Sequence, residues 1–168
     1  MKFRYPFLVL YFSLAVQTGL AQNTYVPDDN FEQALIDLGY DDTLDDSVLT
    51  ANISGVTSLD FSYEEISDLT GIAGFTALEE LYCHQNQLTS LDVSANTSLT
   101  TLYCLENQLT SLDVSANTAL TFLTCYNNQL TSLDVSANTF LTTLWCYMNE
   151  LTSLDVSNNT ALTVLVCS

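Results

Sequence analysis

From Leu78 onward the apolar positions follow one order, Leu-x-x-Leu-x-Cys-x-x-Asn-x-Leu, and that order returns every 21 residues. Leu78, Leu81, Cys83, Asn86 and Leu88 set the first copy, and Cys104, Cys125, Cys146 and Cys167 mark the later ones. Leu81 and Cys83 alternate with Tyr82 and His84, the period of two that predicts a strand with one buried face. The nonapeptide "LTSLDVSAN" then runs from Leu88 to Asn96, recurs letter for letter from Leu109 and Leu130, and returns with one change from Leu151. Its inward positions are Leu88, Leu91 and Val93. Asp92 to Thr97, rich in residues that bond their own backbone, predicts a tight turn. So short a unit leaves no room for a full helix, and the return path is expected to be extended with single turns.

Two earlier segments depart from this pattern. Residues 56–77 form a degenerate first repeat in which Val56, Leu59, Phe61, Ile66 and Leu69 keep the spacing, Glu64 replaces the Asn, and one residue is added. Residues 22–55 read as an N-terminal helical cap: Asp28 or Asp29 can cap the helix, Phe31, Leu35 and Leu38 form its apolar stripe, and Gly39 ends it. Stacked repeats need such a terminal unit to cover the first coil. Residues 78–168 hold four full repeats and a partial one. The stop at Ser168 in mid-strand is expected to be a truncation, the chain being part of a longer one.

The spacing resembles that of the leucine-rich repeat family, with Cys in the third apolar position where Leu is more usual. The resemblance implies a leucine-rich repeat solenoid: a right-handed superhelix of the α/β class, β-rich with little convex helix. It also implies a ladder of Asn86, Asn107, Asn128 and Asn149 that satisfies turn backbone groups, and binding on the concave strand face. The stretch "YVPDDNFEQALIDLGYDD" is similar to the N-terminal module of secreted repeat proteins from Bacteroidetes-type bacteria.

Charge narrows the partners. Residues 1–21 have the layout of a signal peptide: Lys2 and Arg4, an apolar run from Phe7 to Val16, and Gly19-Leu20-Ala21 before cleavage at Gln22. No Cys at that point marks a lipoprotein, so a secreted or cell-surface location is expected. Lys2 and Arg4 are the only cationic residues of a chain whose formal charge is −18. Without them nothing neutralises phosphates, which excludes nucleic acid and direct docking on anionic membrane. Partners should be neutral, cationic or bridged by divalent ions. Twelve of the twenty acids fall between Asp28 and Asp68, so the cap differs in kind from the repeats.

Little points to catalysis. The cysteines share one inward strand position, stacked about 4.8 Å apart, where they act as small buried hydrophobes rather than bridges. His84 has no nucleophile on its own strand face, and Glu79 and Glu80 point to opposite faces. No catalytic residue, cofactor or metal site is assigned. Asp92, Asp113, Asp134 and Asp155 recur once per coil and are read as turn acceptors, with a bridging cation as the alternative. The "DDTLDD" run from Asp41 lacks the oxygen spacing of a calcium loop.

Four copies in one chain show which positions are held and which vary. Variation concentrates on the outward strand positions: Glu80, Tyr82 and His84; Thr101, Tyr103 and Leu105; Phe122, Thr124 and Tyr126; Thr143, Trp145 and Tyr147. Six aromatics on one nearly uncharged face suit recognition. The expected function is a secreted or surface binding module for a protein or glycan partner. The alternative is a spacer or adhesion stalk in which the rings only cover the sheet. An ice-binding role for Thr89 and its equivalents is disfavoured by adjacent Thr-Ser rather than alternating Thr.

Overall fold

The computed structural model describes residues 22–167; the leader expected over residues 1–21 lies outside them. Strand β1 (Asn23–Tyr25) and helix α1 (Asp29–Asp37) are followed by β2 (Ser47–Leu49) and a short helix α2 (Thr50–Ile53). Six further strands come next: β3 (Ser58–Asp60), β4 (Glu80–Tyr82), β5 (Thr101–Tyr103), β6 (Phe122–Thr124), β7 (Thr143–Trp145) and β8 (Val164–Val166). They form one parallel sheet in sequence order. The fixed period explains the register, because each strand meets the next residue for residue: Leu81 faces Leu102, Leu102 faces Leu123, and Leu123 faces Leu144. Parallel neighbours usually need a helical crossover. Here the return from β3 to β4 holds one 3-10 turn, Ile72–Gly74, and the copied returns are turns and extended chain, with a single bridge between Asp92 and Asp113, as a 21-residue unit requires.

Leu59, Leu81, Leu102, Leu123 and Leu144 of the strands and Cys83, Cys104, Cys125 and Cys146 are buried in a continuous core with Leu88, Val93, Leu99 and their equivalents up to Leu141, whereas Leu151, Val156 and Leu162 of the last return are partly buried and Leu165 of β8 is exposed. Buried backbone in so narrow a coil must be satisfied, and asparagines do it. Asn107 Nδ2 donates to Cys83 O of the preceding coil at 3.0 Å and to Cys104 O of its own at 3.2 Å, while its Oδ1 accepts from Leu88 N at 3.1 Å. Asn128 and Asn149 repeat that set. Asn86 donates to Phe61 O and accepts from Ile66 N of the degenerate coil. A second ladder runs behind the first, and the repeated nonapeptide hides it as a turn letter. Asn117 Nδ2 donates to Val93 O at 3.0 Å and to Asn96 O at 2.9 Å, with Asn96, Asn138 and Asn159 placed alike. Hydroxyls of Thr100, Thr121, Thr142 and Thr163 staple the outer turn to the coil before.

The cap is more elaborate than a single helix. Helix α1 starts at Asp28, whose Oδ1 accepts from the amides of Asn30 and Phe31, and ends at Gly39 in the left-handed region at φ +80°. The bonds from Gly39 N to Ile36 O and from Tyr40 N to Leu35 O close it as a Schellman turn. Phe31 and Leu35 are buried as the stripe predicts. Leu38 is not: it is 48% exposed, because it is the C-cap residue and the chain leaves the helix there. Strands β1 and β2 pair antiparallel, an element too short to show in the pattern. The acidic run is organised through its backbone: Glu32, buried within α1, accepts from Asp45 N at 3.0 Å and Ser47 N at 2.9 Å.

Candidate functional site

On the open face of the parallel sheet the outward residues stand in columns set by the register. Tyr82, Tyr103, Thr124 and Trp145 make one column. His84, Leu105, Tyr126 and Tyr147 make a second beyond the cysteines, held by bonds such as Gln85 N to Leu105 O and Glu106 N to Tyr126 O. The rings meet across strands: Tyr82 and Tyr103 lie with centroids 4.8 Å apart, Tyr103 stacks on Phe122 at 4.8 Å, and Tyr126 stacks on Tyr147 at 4.4 Å. Phe122 reaches toward Trp145 at 6.2 Å, and Tyr63 of the degenerate coil stands edge-on to His84 at 5.4 Å. Strand pairs of this kind contribute about 0.5–1.5 kcal/mol beyond their burial.

Two of the twelve outward positions are buried, while Trp145 is exposed and the rest are half-buried. Thr124 has no accessible surface and Leu105 retains 7%. Each is the short or lone aliphatic side chain in its column, so taller neighbours enclose it. Their columns dip at adjacent points, and the dip is an open groove of about 400 Å³. Tyr63, Tyr82, His84, Gln85, Tyr103, Leu105, Glu106, Thr124, Tyr126 and Trp145 line it. Glu80, Thr101, Phe122, Thr143 and Tyr147 share the face but do not line the groove. Glu80 instead accepts from Ser58 Oγ at 3.2 Å and lies 3.5 Å from Tyr82 Oη.

Glu106 is the one carboxylate among the residues that line the groove. Glu106 lies 3.5 Å from Tyr126 Oη and accepts from Gln85 Nε2. Burial, reinforced by Tyr147 and the Glu106 charge, raises the Tyr126 phenol above its ordinary value; burial and then Glu80 do the same for Tyr82. Thr124 Oγ1 has no hydrogen-bond partner among the described residues. Tyr63, Gln85 and Glu106 were not expected here. Gln85, Glu106, Asn127 and Met148 occupy one left-handed position per coil, at φ 52–55°, and they differ in every copy. The variability that marks the strand residues therefore extends to this position, and following it one step further along each coil would have found two of the three.

Other candidates resolve into structure. Ser62 Oγ lies 2.9 Å from His84 Nδ1 and donates to Asp60 Oδ1. His84 thus has a serine beside it, contributed by the preceding coil. The order is wrong for nucleophile activation, because the acid orients the serine rather than the histidine and takes its only proton. Asp92, Asp113, Asp134 and Asp155 each accept from the amide two residues on, at 2.8–2.9 Å, and those serine contacts hold all four below the ordinary carboxylate value. Among the described residues no group of three or more His, Cys, Asp or Glu is placed to hold a metal ion. Cys83, Cys104, Cys125 and Cys146 are buried and unbridged, and burial lifts Cys83 to about 12 and Cys146 to about 11. Cys167 is exposed.

No family model matches the chain. Over 75 residues it is 45% identical to internalin J of Listeria monocytogenes serotype 4b (strain F2365), an alignment covering 45% of this chain and 8% of that protein. Among solved structures it is similar to the functional domain of InlJ from Listeria monocytogenes, described as including a cysteine ladder. That likeness has a TM-score of 0.64 and 33% identity, over 88% of this chain and 43% of that one. It is also similar to the internalin InlF of Listeria monocytogenes strain 4b F2365, with a TM-score of 0.77 and 25% identity, over 83% of this chain and 43% of that one. The chain thus spans less than half the length of each. The architecture is a leucine-rich repeat solenoid, β-rich with few helices.

Proposed function

We propose that the chain is the binding module of a secreted or surface protein and recognises a protein partner through the aromatic face of its sheet, taken as the concave side of the solenoid. One observation carries this: seven of the twelve outward residues that differ between otherwise copied coils line a single groove, while the core beneath them stays the same. Rings needed only to cover the sheet could be copied like the core. The similarity to internalins supports an interaction role over a spacer. Trp145, 37% exposed at the groove edge, and Tyr147 beside it are the expected anchors.

The test compares the chain with its Trp145→Ala/Tyr147→Ala variant against purified extracellular proteins and a glycan array. Two lost aromatic anchors should weaken a protein partner by about a hundredfold or more, with the solenoid still folded, its melting temperature lowered by the loss of two ring pairs. Unchanged affinity overturns the proposal. A glycan as the ligand lost on substitution replaces the protein partner, and no ligand on either panel favours the spacer.

A further inference from the structure

The charge of the molecule and the chemistry of the groove agree on what kind of group enters it. Between Tyr5 and Ser168 there is no Lys or Arg, and the chain carries a formal charge of −18. Every ion pair the described surface can make with a partner, His84 aside, therefore uses its own carboxylate and the partner's cation. Inside the groove the carboxylate is Glu106, half-buried beside Tyr126 Oη. The walls are Tyr82, Tyr103, Tyr126 and Trp145, whose π-faces attract cations and do so more strongly once water is displaced. An anion entering the groove meets the Glu106 charge and is repelled.

We infer that the groove receives a cationic side chain, the guanidinium or ammonium of a basic segment of the partner protein, held between the aromatic walls with Glu106 as counter-ion. This rests on the concave-face binding proposed above and specifies its partner. An acidic protein is a non-ligand, and a basic one engages through a residue inserted between the aromatic walls beside Glu106 rather than through diffuse attraction alone.

Trp145 is the chain's only tryptophan and lines the groove, so its fluorescence reports occupancy directly. The probes are a short arginine-bearing peptide and the same peptide with citrulline, a neutral isostere, titrated into the full chain. The arginine peptide should bind at least about tenfold more tightly, the equivalent of one favourable charge pair. Glu106→Gln should remove most of that preference. Glu150→Gln, which writes at an exposed site the residue held at Gln87, Gln108 and Gln129, should not. Equal binding of the two peptides, or equal losses from the two Gln variants, overturns the inference, the second outcome because it reveals only a long-range field. Tyr126→Ala separates the two levels. Citrulline binding lost in that variant leaves face recognition standing without the cationic group, whereas binding indifferent to Tyr126 removes both.

Discussion

The cap with its first coil and the copied coils are held together in opposite ways. At the cap end each contact is used once. Phe31 meets Phe61 edge-on at 5.0 Å, and Asp28 Oδ2 reaches across to the amides of Ser67 and Asp68 and to the Ser67 hydroxyl. Gly71, at φ +111°, leaves so little room that a Cβ would stand 2.7 Å from Tyr25 O. In the copied coils the same asparagine and threonine bonds serve at every step. A cap must fit one coil on one side and water on the other, so no copied sequence can make it. A coil meets two near-identical neighbours, and one solution suffices. The outward face escapes both constraints, which is why it is free to vary.

Breaking the unique contacts should cost most. Phe61→Ala removes a buried ring shared by cap and first coil and should lower stability by about 3–5 kcal/mol in urea unfolding. A buried coil leucine such as Leu123→Ala can lose as much, so the sharper readout is proteolysis: Phe61→Ala should expose residues 22–55 first. Next comes the ladder. Asn107→Ala leaves Leu88 N unpaired and takes one of two asparagine bonds from each of Cys83 O and Cys104 O, and should cost about 2–3 kcal/mol, whereas Asn149→Ala, at a half-buried position, should cost about 1 kcal/mol. Equal losses would show that the ladder acts independently of burial.

Acid should act on the junction of cap and first coil. Burial pushes the Asp28 carboxyl up, but the Ser67 hydroxyl with the amides of Ser67, Phe31 and Asp68 outweighs it, and the group rests below its ordinary 3.8. A lowered folded value means stabilisation that is complete above 3.8 and lost as pH falls through the folded value. Stability should therefore drop below pH 3.8, less steeply in Asp28→Asn; an identical pH profile in that variant removes Asp28 from the account. The smallest effect is a gain. Met148 is 63% exposed and sits at φ 52° where Asn127 stands one coil earlier. Met148→Asn should stabilise by about 0.5 kcal/mol, read as a higher urea midpoint.

The solenoid was legible because burial on one strand face writes itself as Leu81, Cys83 and their copies, and the first Asn ladder because the family resemblance names it. The second ladder was not. Asn96 sits among Asp, Ser and Thr, which favour turns through local bonds, and nothing in a turn sequence says that an amide instead reaches back a whole coil. Leu38 fitted a helical stripe that ended one residue too soon. Leu105 and Thr124 were placed outward correctly by alternation, but alternation carries no height, and it takes the neighbouring rings to turn two outward residues into a floor. Ser62 and Tyr63 came to His84 from 22 and 21 residues upstream, across a coil whose extra residue blurs its alignment.

The file of cysteines supplies a clock. Each of Cys83, Cys104, Cys125 and Cys146 is shut from solvent by the coils on either side, and a thiol reagent reaches it only when its own stretch of the solenoid opens. Four chemically identical reporters thus stand at regular stations along the axis. If the chain opens all at once, pulse labelling modifies them at one shared rate. If it opens by peeling, the rates fall into rank along the axis, and their ratios give the energy of adding one coil to the next.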